Sequence, residues 1–292
     1  MKLGIIGGSG VYQLEGLQKV ESVQVETPFG APSDAFVRGQ LGGREVVFLP
    51  RHGKGHRLMP SEINHRANIY AFKLLGIERI LSVSAVGSLR EELRPRDIVL
   101  PSQYYDRTKH TLDHTFFGRG LVAHVAFAEP ICPDLRAFLF QQIQHALSRR
   151  GETKSRLHNG GTYVCMEGPA FSTRAESLSY RQLGGDIIGM TSLPEAKLCR
   201  EAEICYAAMA MVTDYDCWRE GEEHVTVEMI IANLIANSAL AKDVLAHLIA
   251  TLPDARTCGC GSALKDALIT ERSAVPAETK QALAAIVGKY LG

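Results

Sequence analysis

Asp214 and Asp216 stand one residue apart at the end of an apolar run spanning residues 207–213. If extended backbone continues through them, both carboxylates face the same side. Acceptors paired in this way can bind a ring N–H and an exocyclic amine of one heterocycle together. A carboxyl in an apolar pocket also keeps its proton to higher pH and can donate it. Taken alone, the same tripeptide reads as an Asx-turn or a helix-capping pair. Arg51-His52-Gly53-Lys54-Gly55-His56 concentrates donors instead. Arg offers a two-pronged fork for phosphate, and His can add a further N–H. A metal role for His52 and His56 has little support, because Gly53 and Gly55 disfavour a shared helical face and no HExxH frame exists. Read as structure alone, the stretch is a solvated basic loop.

Gly7-Gly8-Ser9-Gly10 follows the first apolar run and could let the backbone approach an anion closely. It could equally be a tight turn. Gln13 breaks a GxGxxG pattern, Val11 breaks a GxSxG pattern, and no GxxxxGK[ST] occurs. Dinucleotide binding, a hydrolase elbow and a P-loop therefore lose their main support. In the stretch 166–176, Phe171 precedes a helix start with Ser172 and Thr173 as caps, and its ring could stack on a planar ligand. A lone Phe is more often core. The 7 cysteines are Cys132, Cys165, Cys199, Cys205, Cys217, Cys258 and Cys260. No CxxC occurs, so zinc-ribbon and thioredoxin spacings are absent and no metal site is expected. Cys165, Cys205 and Cys217 sit in apolar stretches and read as core.

These groups need elements to hold them. Strand patterns fall at 3–6, 35–38, 45–49, 80–86, 98–100, 162–165, 186–188 and 207–213. Gly42-Gly43 suggests a hairpin between the second and third of these. Helical patterns run from Ser61 as a cap to Leu75, and over 133–149, 172–183 and 195–205. A long helix follows Thr226, with Val227, Ile230, Ile231, Leu234 and Ile235 among its apolar positions. Alternating strands and helices predict an α/β fold with a sheet covered on both faces. Ligands in such sheets sit beyond the carboxyl ends of strands, where each of the polar or Gly-rich segments falls. After Pro253 the texture changes to Cys258-Gly259-Cys260, a short helix over 264–269 and a last amphipathic helix through Tyr290. The expected division is 1–252 for the catalytic part and 253–292 for a helical extension.

Across 292 residues, 32 Lys+Arg balance 32 Asp+Glu, with 22% charged and 46% hydrophobic. Nucleic-acid binders draw affinity from a basic excess, which is missing here. No run approaches the roughly 20 apolar residues of a membrane span. The expectation is a cytoplasmic chain with neither nucleic acid nor membrane as partner.

Taken together, the segments resemble the purine nucleoside phosphorylase superfamily. The matching stretches are Gly4-Ile5-Ile6-Gly7-Gly8-Ser9-Gly10, Pro50-Arg51-His52-Gly53, Asn64-His65-Arg66-Ala67-Asn68 and Ser84-Ala85-Val86-Gly87-Ser88-Leu89. They continue through 167–176, Gly189-Met190-Thr191 and Thr213-Asp214-Tyr215-Asp216-Cys217-Trp218, covering residues 3–250. The resemblance implies a single-domain three-layer α/β/α fold with a mixed sheet. It implies a phosphate site at Ser9, Arg51, His52, Ser84, the Ala85 N–H and Thr191. Met190 would pack on the ribose, and Phe171 with Ser172 would lie beside the base. Asp214 and Asp216 would read N7 and the 6-amino edge of adenine. Val227 and Ile231 match positions that receive a 5′-methylthio group, and His124 matches a residue offered across a subunit interface. Ala170 departs from the pattern, where many relatives carry Arg. The implied activity is phosphorolysis of S-methyl-5′-thioadenosine, with Asp214, Arg51 and His52 catalytic and no metal or organic cofactor. A broader adenosine or inosine phosphorylase, a nucleosidase and a non-catalytic nucleoside-binding protein are the alternatives. Similar chains form homotrimers, and some form hexamers. Some thermophilic relatives carry disulfides in the corresponding tail, so Cys258–Cys260 or Cys132–Cys205 are candidate pairs against free thiols as the default.

Overall fold

The computed structural model describes residues 2–8, 16–109, 111–149, 155–219 and 227–291. Among them, eleven strands form one mixed sheet. Its centre is β1 (Lys2–Gly7), lying parallel to β4 (Arg44–Pro50) on one side and to β5 (Arg79–Ser88) on the other. On its other edge, β5 pairs in parallel with β11 (Cys205–Asp214). All ten residues of β11 are buried, as an apolar run covered on both faces requires. β3 (Phe36–Leu41) returns antiparallel to β4 through Gly42 and Gly43, both at positive φ, as the hairpin signal predicted. β2 (Gln18–Val23) closes that edge. The other wing holds β6 (Ile98–Leu100), β7 (Gln103–Arg107), β8 (Leu157–Asn159), β9 (Thr162–Met166) and β10 (Ile187–Gly189). β2, β7 and β8 have no counterpart in the sequence pattern: they are short and largely exposed or half-buried, so alternation is weak.

α2 (Pro133–Arg149) and α5 (Val227–Thr251) pack on each other and on β11. α1 (His65–Leu74) and α4 (Ser192–Glu201) form a second pair, and α4 also meets β5 and β11. The result is the three-layer α/β/α arrangement expected. α3 (Arg174–Gln182) starts with a capping box: Thr173 accepts from the Glu176 N–H while Glu176 accepts from the Thr173 N–H. Three boundaries differ from the sequence reading. Residues 60–62 form a 3₁₀ turn, so α1 is capped by Asn64, whose side chain accepts from the Ala67 N–H at 3.0 Å, and not by Ser61. Cys205 opens β11 and does not end a helix, because α4 stops at Glu201. Residues 264–269 are turns with a β-bridge from Leu268 to Ala123, and no helix.

α6 (Ala277–Ala282) and α7 (Ala284–Leu291) end the chain. Leu264, Val275, Leu283, Ile286 and Val287 join the main core. The extension also grips residues 119–124. Ala267 accepts from the His124 N–H, Val122 exchanges bonds with Ile269 and Thr270, and Thr279 donates to the Arg119 carbonyl. Among the described residues no helix is long and apolar enough to cross a membrane.

Candidate active site

β5 changes neighbours partway along one edge. It pairs with β1 through Ser82 and with β10 from Gly87 onward, so residues 83–86 face no strand there. Such a switch leaves backbone donors uncommitted at the carboxyl ends of parallel strands. Ser84 and Ala85 lie in this gap, and Ser84 Oγ is buried with no hydrogen-bond partner among the described residues. A buried hydroxyl without a partner costs stability unless a ligand or water completes it. Thr191, 5% exposed, caps α4 without a side-chain capping bond, so its hydroxyl also remains available. Ser9 lies outside the described residues.

Arg51 follows β4 and is held by its N–H to the Gly7 carbonyl. Its guanidinium is buried, and its fork meets Glu195 instead of opening to the gap. Nε donates to Glu195 Oε1 at 2.5 Å and Nη2 to Oε2 at 3.4 Å. Nη2 also donates to Ser82 Oγ, and Nη1 to the Val83 carbonyl. Of five guanidinium N–H groups, one on Nη1 lacks a recorded partner. The two-pronged grip on phosphate expected from sequence is therefore spent inside the protein. Ser82 and Tyr206 hydroxyls donate to Glu195 Oε2, at 2.7 and 2.8 Å. Burial opposes both charges, yet the pairing wins: the Glu195 carboxyl is held low and the Arg51 guanidinium high. Glu195 escaped the sequence reading because an acid in the first turn of a helix reads as ordinary dipole compensation.

His52 Nδ1 lies 2.9 Å from the Leu58 carbonyl, and its ring stacks on His56 with centroids 4.2 Å apart. A carbonyl only accepts, so Nδ1 carries the hydrogen. Burial, then the Arg51 charge, pushes the ring down to about 4. His52 is thus neutral near pH 7, and Nε2 presents a lone pair. In that form it can accept from a hydroxyl, and it has no second N–H to donate.

Asp214 ends β11 beside the same gap. Its Oδ2 accepts from Thr213 Oγ1 at 2.7 Å and Oδ1 from the Asp216 N–H at 2.8 Å. This is an Asx-turn: Asp216 adopts φ 52°, so extended backbone does not continue between the two. Asp216 Oδ2 instead accepts from Ser177 Oγ of α3 at 2.5 Å. Both carboxyls are pushed up by burial, and Asp216 also by the charge of Asp214. Gly87 makes room for them. A Cβ there would lie 3.0 Å from Asp214 Oδ1 and 3.4 Å from the Asp216 Cβ. Trp218 anchors the loop by donating to the Ser88 carbonyl at 2.7 Å, and Asn233 of α5 donates to the Thr213 carbonyl.

Met190 rests against Gly168, where a Cβ would come within 2.5 Å of its sulfur. It also lines a cavity of about 240 Å³ with Ile63, His65, His114, Glu167 and Pro194. His65, fully buried, is pushed down to about 3 by burial. Phe171 is 59% exposed, as a ring available for stacking must be. Ser172 is buried beside Met166, and its carbonyl accepts from the Cys217 thiol. Val227 and Ile231 fall on the first turns of α5, where side chains lie outside the described residues. His124 is exposed and tied to the extension, with its recorded backbone bond going to Ala267.

A central strand that switches neighbours, a buried hydroxyl without a partner among the described residues, and a buried Asp214 beside a half-buried Asp216 lie together at one end of the sheet. Residues 2–250 match the phosphorylase superfamily, and the chain belongs to that superfamily. It is 57% identical over 289 residues to the S-methyl-5′-thioadenosine phosphorylase of Geobacter sulfurreducens, covering 99% of each chain. A crystal structure of a methylthioadenosine phosphorylase from an Antarctic soil metagenomic library matches with TM-score 0.90 and 49% identity, over 97% of this chain and 98% of that one. A Schistosoma mansoni adenosine/methylthioadenosine phosphorylase variant, crystallised with methylthioadenosine, matches with TM-score 0.82 and 38% identity, over 91% and 96%.

Proposed function

We propose that the chain cleaves S-methyl-5′-thioadenosine with phosphate, giving adenine and 5-methylthioribose 1-phosphate. The observation that supports this is the turn joining buried Asp214 to half-buried Asp216 beside the unpaired 83–86 edge of β5. Phosphate occupies that edge, held by Ser9, Ser84, the Ala85 N–H and Thr191. Neutral His52 accepts the phosphate O–H, which orients an oxyanion toward C1′. Arg51 contributes positive charge from behind Ser82 and at most one N–H. Phosphate attacks C1′ as the C1′–N9 bond breaks, its electron pair passing into the purine. Asp214, whose hold on a proton is strengthened by burial, gives that proton to N7 and makes adenine a neutral leaving group. Asp216 accepts from the 6-amino group. Negative phosphate beneath the sugar also offsets the oxocarbenium charge of the transition state.

Phe171 and Ser172 flank the base, Met190 supports the ribose, and Val227 with Ile231 receives the methylthio group. The working unit is a homotrimer, or a hexamer built from trimers, with His124 completing a neighbour's site. Residues 1–252 act as the catalytic part and 253–292 as the extension. The chain works in the cytoplasm, and the reaction as written requires no metal or organic cofactor.

Methylthioadenosine, adenosine, inosine and methylthioinosine should be incubated side by side, with and without phosphate. Phosphate-dependent release of adenine, fastest from methylthioadenosine, is expected. Equal rates from adenosine would broaden the substrate class. Release without phosphate would make the chain a nucleosidase, and binding without release a nucleoside-binding protein.

A further inference from the structure

Asp214 ends β11, and Cys205 begins it, about 30 Å away at roughly 3.3 Å per residue. At that opposite end four cysteines converge. Cys132 immediately precedes α2, Cys205 opens β11, and Cys258 and Cys260 lie on the turn that starts the C-terminal extension. Their four Sγ atoms all lie within 4.8 Å of one another. Cys132, Cys205 and Cys260 are buried and Cys258 is half-buried. We propose that these four thiols form a tetrathiolate site for one zinc ion that fastens the extension to the catalytic body.

The geometry favours an ion over the alternatives. Zinc–sulfur bonds of about 2.3 Å place tetrahedral ligands about 3.8 Å apart. A four-way convergence within 4.8 Å fits that figure. Two disulfides could account for all four cysteines, but each would hold its sulfurs at about 2 Å. All seven cysteines are free thiols, and the Cys205 and Cys258 sulfurs stand 3.3 Å apart. Thiols buried as small apolar groups have no reason to gather from three separate elements. The Leu135 N–H in the first turn of α2 donates to Cys132 Sγ at 3.5 Å, where the helix N-terminus favours a thiolate.

Binding releases four thiol protons and leaves a centre of charge 2−, with no electron transfer. Two cations flank the turn. Lys289 donates to the Gly261 carbonyl, and the Arg256 guanidinium would lie 2.9 Å from a Cβ at Gly261. Four protein ligands leave no open position, so the ion is structural and not catalytic.

The test uses the full chain, purified under reducing conditions without chelator, with metal measured by elemental mass spectrometry. One zinc per chain is expected. Cobalt(II) loaded into chelator-stripped protein should show thiolate charge-transfer bands and intense tetrahedral ligand-field bands. Cys260→Ser should lose the metal. Cys258→His should retain it, with the cobalt bands shifted to shorter wavelength, because imidazole can ligate zinc but cannot form a disulfide. Cys199→Ala, outside the cluster, should bind as the parent chain does. If Cys260→Ser fails to fold, the cobalt spectra of the parent chain and Cys258→His decide alone. A parent chain that holds no metal after zinc loading would overturn the site, whether its thiols titrate freely or are found as disulfides. So would zinc retained equally by Cys260→Ser, or cobalt spectra without thiolate bands.

Discussion

Arg51 with Glu195 and Asp214 with Asp216 are both pairs of ionisable groups beside the same stretch of β5, the first fully buried and the second with Asp216 half-buried, and their bonding differs. In the first pair, opposite charges meet directly, and the hydroxyls of Ser82 and Tyr206 complete the carboxylate. In the second, like groups share a turn, and each carboxyl is raised by burial. A saturated pair has little capacity left for a ligand and serves to hold shape. An under-bonded pair with raised pKa values can still take up a donor or release a proton. In the proposed site, the anion end therefore depends on a rigid support behind it, and the heterocycle end on groups that are costly to bury.

Breaking the saturated pair should have the largest effect. Glu195→Ala strands a buried guanidinium and should destabilise the fold by about 3–5 kcal/mol in chemical denaturation. Arg51→Met in the same chain should recover much of that loss while raising KM for phosphate. If Glu195→Ala melts like the parent, the pair is not the support described. Asp214→Asn should reverse the pattern. Turnover should drop on the order of 10²-fold or more, while thermal stability holds or rises because a reluctant buried acid is gone. Small, equal changes in kcat and in phosphate binding would remove its role as the acid.

The pH dependence separates the ends further. As the proposed acid, Asp214 has to carry its proton, so kcat should fall as pH rises through its raised pKa, and Asp214→Asn should abolish that limb. The linked stability has the same sign. A carboxyl whose native pKa is raised supports folding below its unfolded pKa, and that support is lost as pH climbs through the native value. His52, at about 4, should add no limb near neutrality. Gly87→Ala should push Asp214 Oδ1 aside and cost about 1–3 kcal/mol of stability, with kcat reduced more than KM. Ser177→Ala, which removes one neutral partner of Asp216, should be mildest at about 1 kcal/mol in transition-state binding. KM-resolved kinetics on 6-amino and 6-oxo substrates would show whether base choice shifts.

Much of this was legible before any coordinates. Apolar runs located β1, β5 and β11, because buried parallel strands are written as continuous hydrophobic stretches. The same runs pointed to Arg51, Ser84, Thr191 and Asp214, which all follow or interrupt them. What stayed hidden depends on distant residues. Nothing near Glu195 announces a partner 144 positions earlier. Gly87 looks like any strand glycine until Asp214 stands against it. The positive φ of Asp216 decided between extended and turned carboxylates, and the tripeptide had left both open. The cysteine cluster fell outside every familiar spacing because its ligands come from three elements.

The separation of Arg51 from Glu195 also bears on the order in which the chain can fold. β1, β4 and β5 are complete by residue 88, well before α4 supplies the carboxylate. Until that helix docks, Arg51 must stay hydrated, so the early strands cannot close into a dry layer over it. Closing a loop of that length delays the non-local contact. Refolding should therefore pass through a wet, partly open sheet, and its final dehydration should coincide with the arrival of α4.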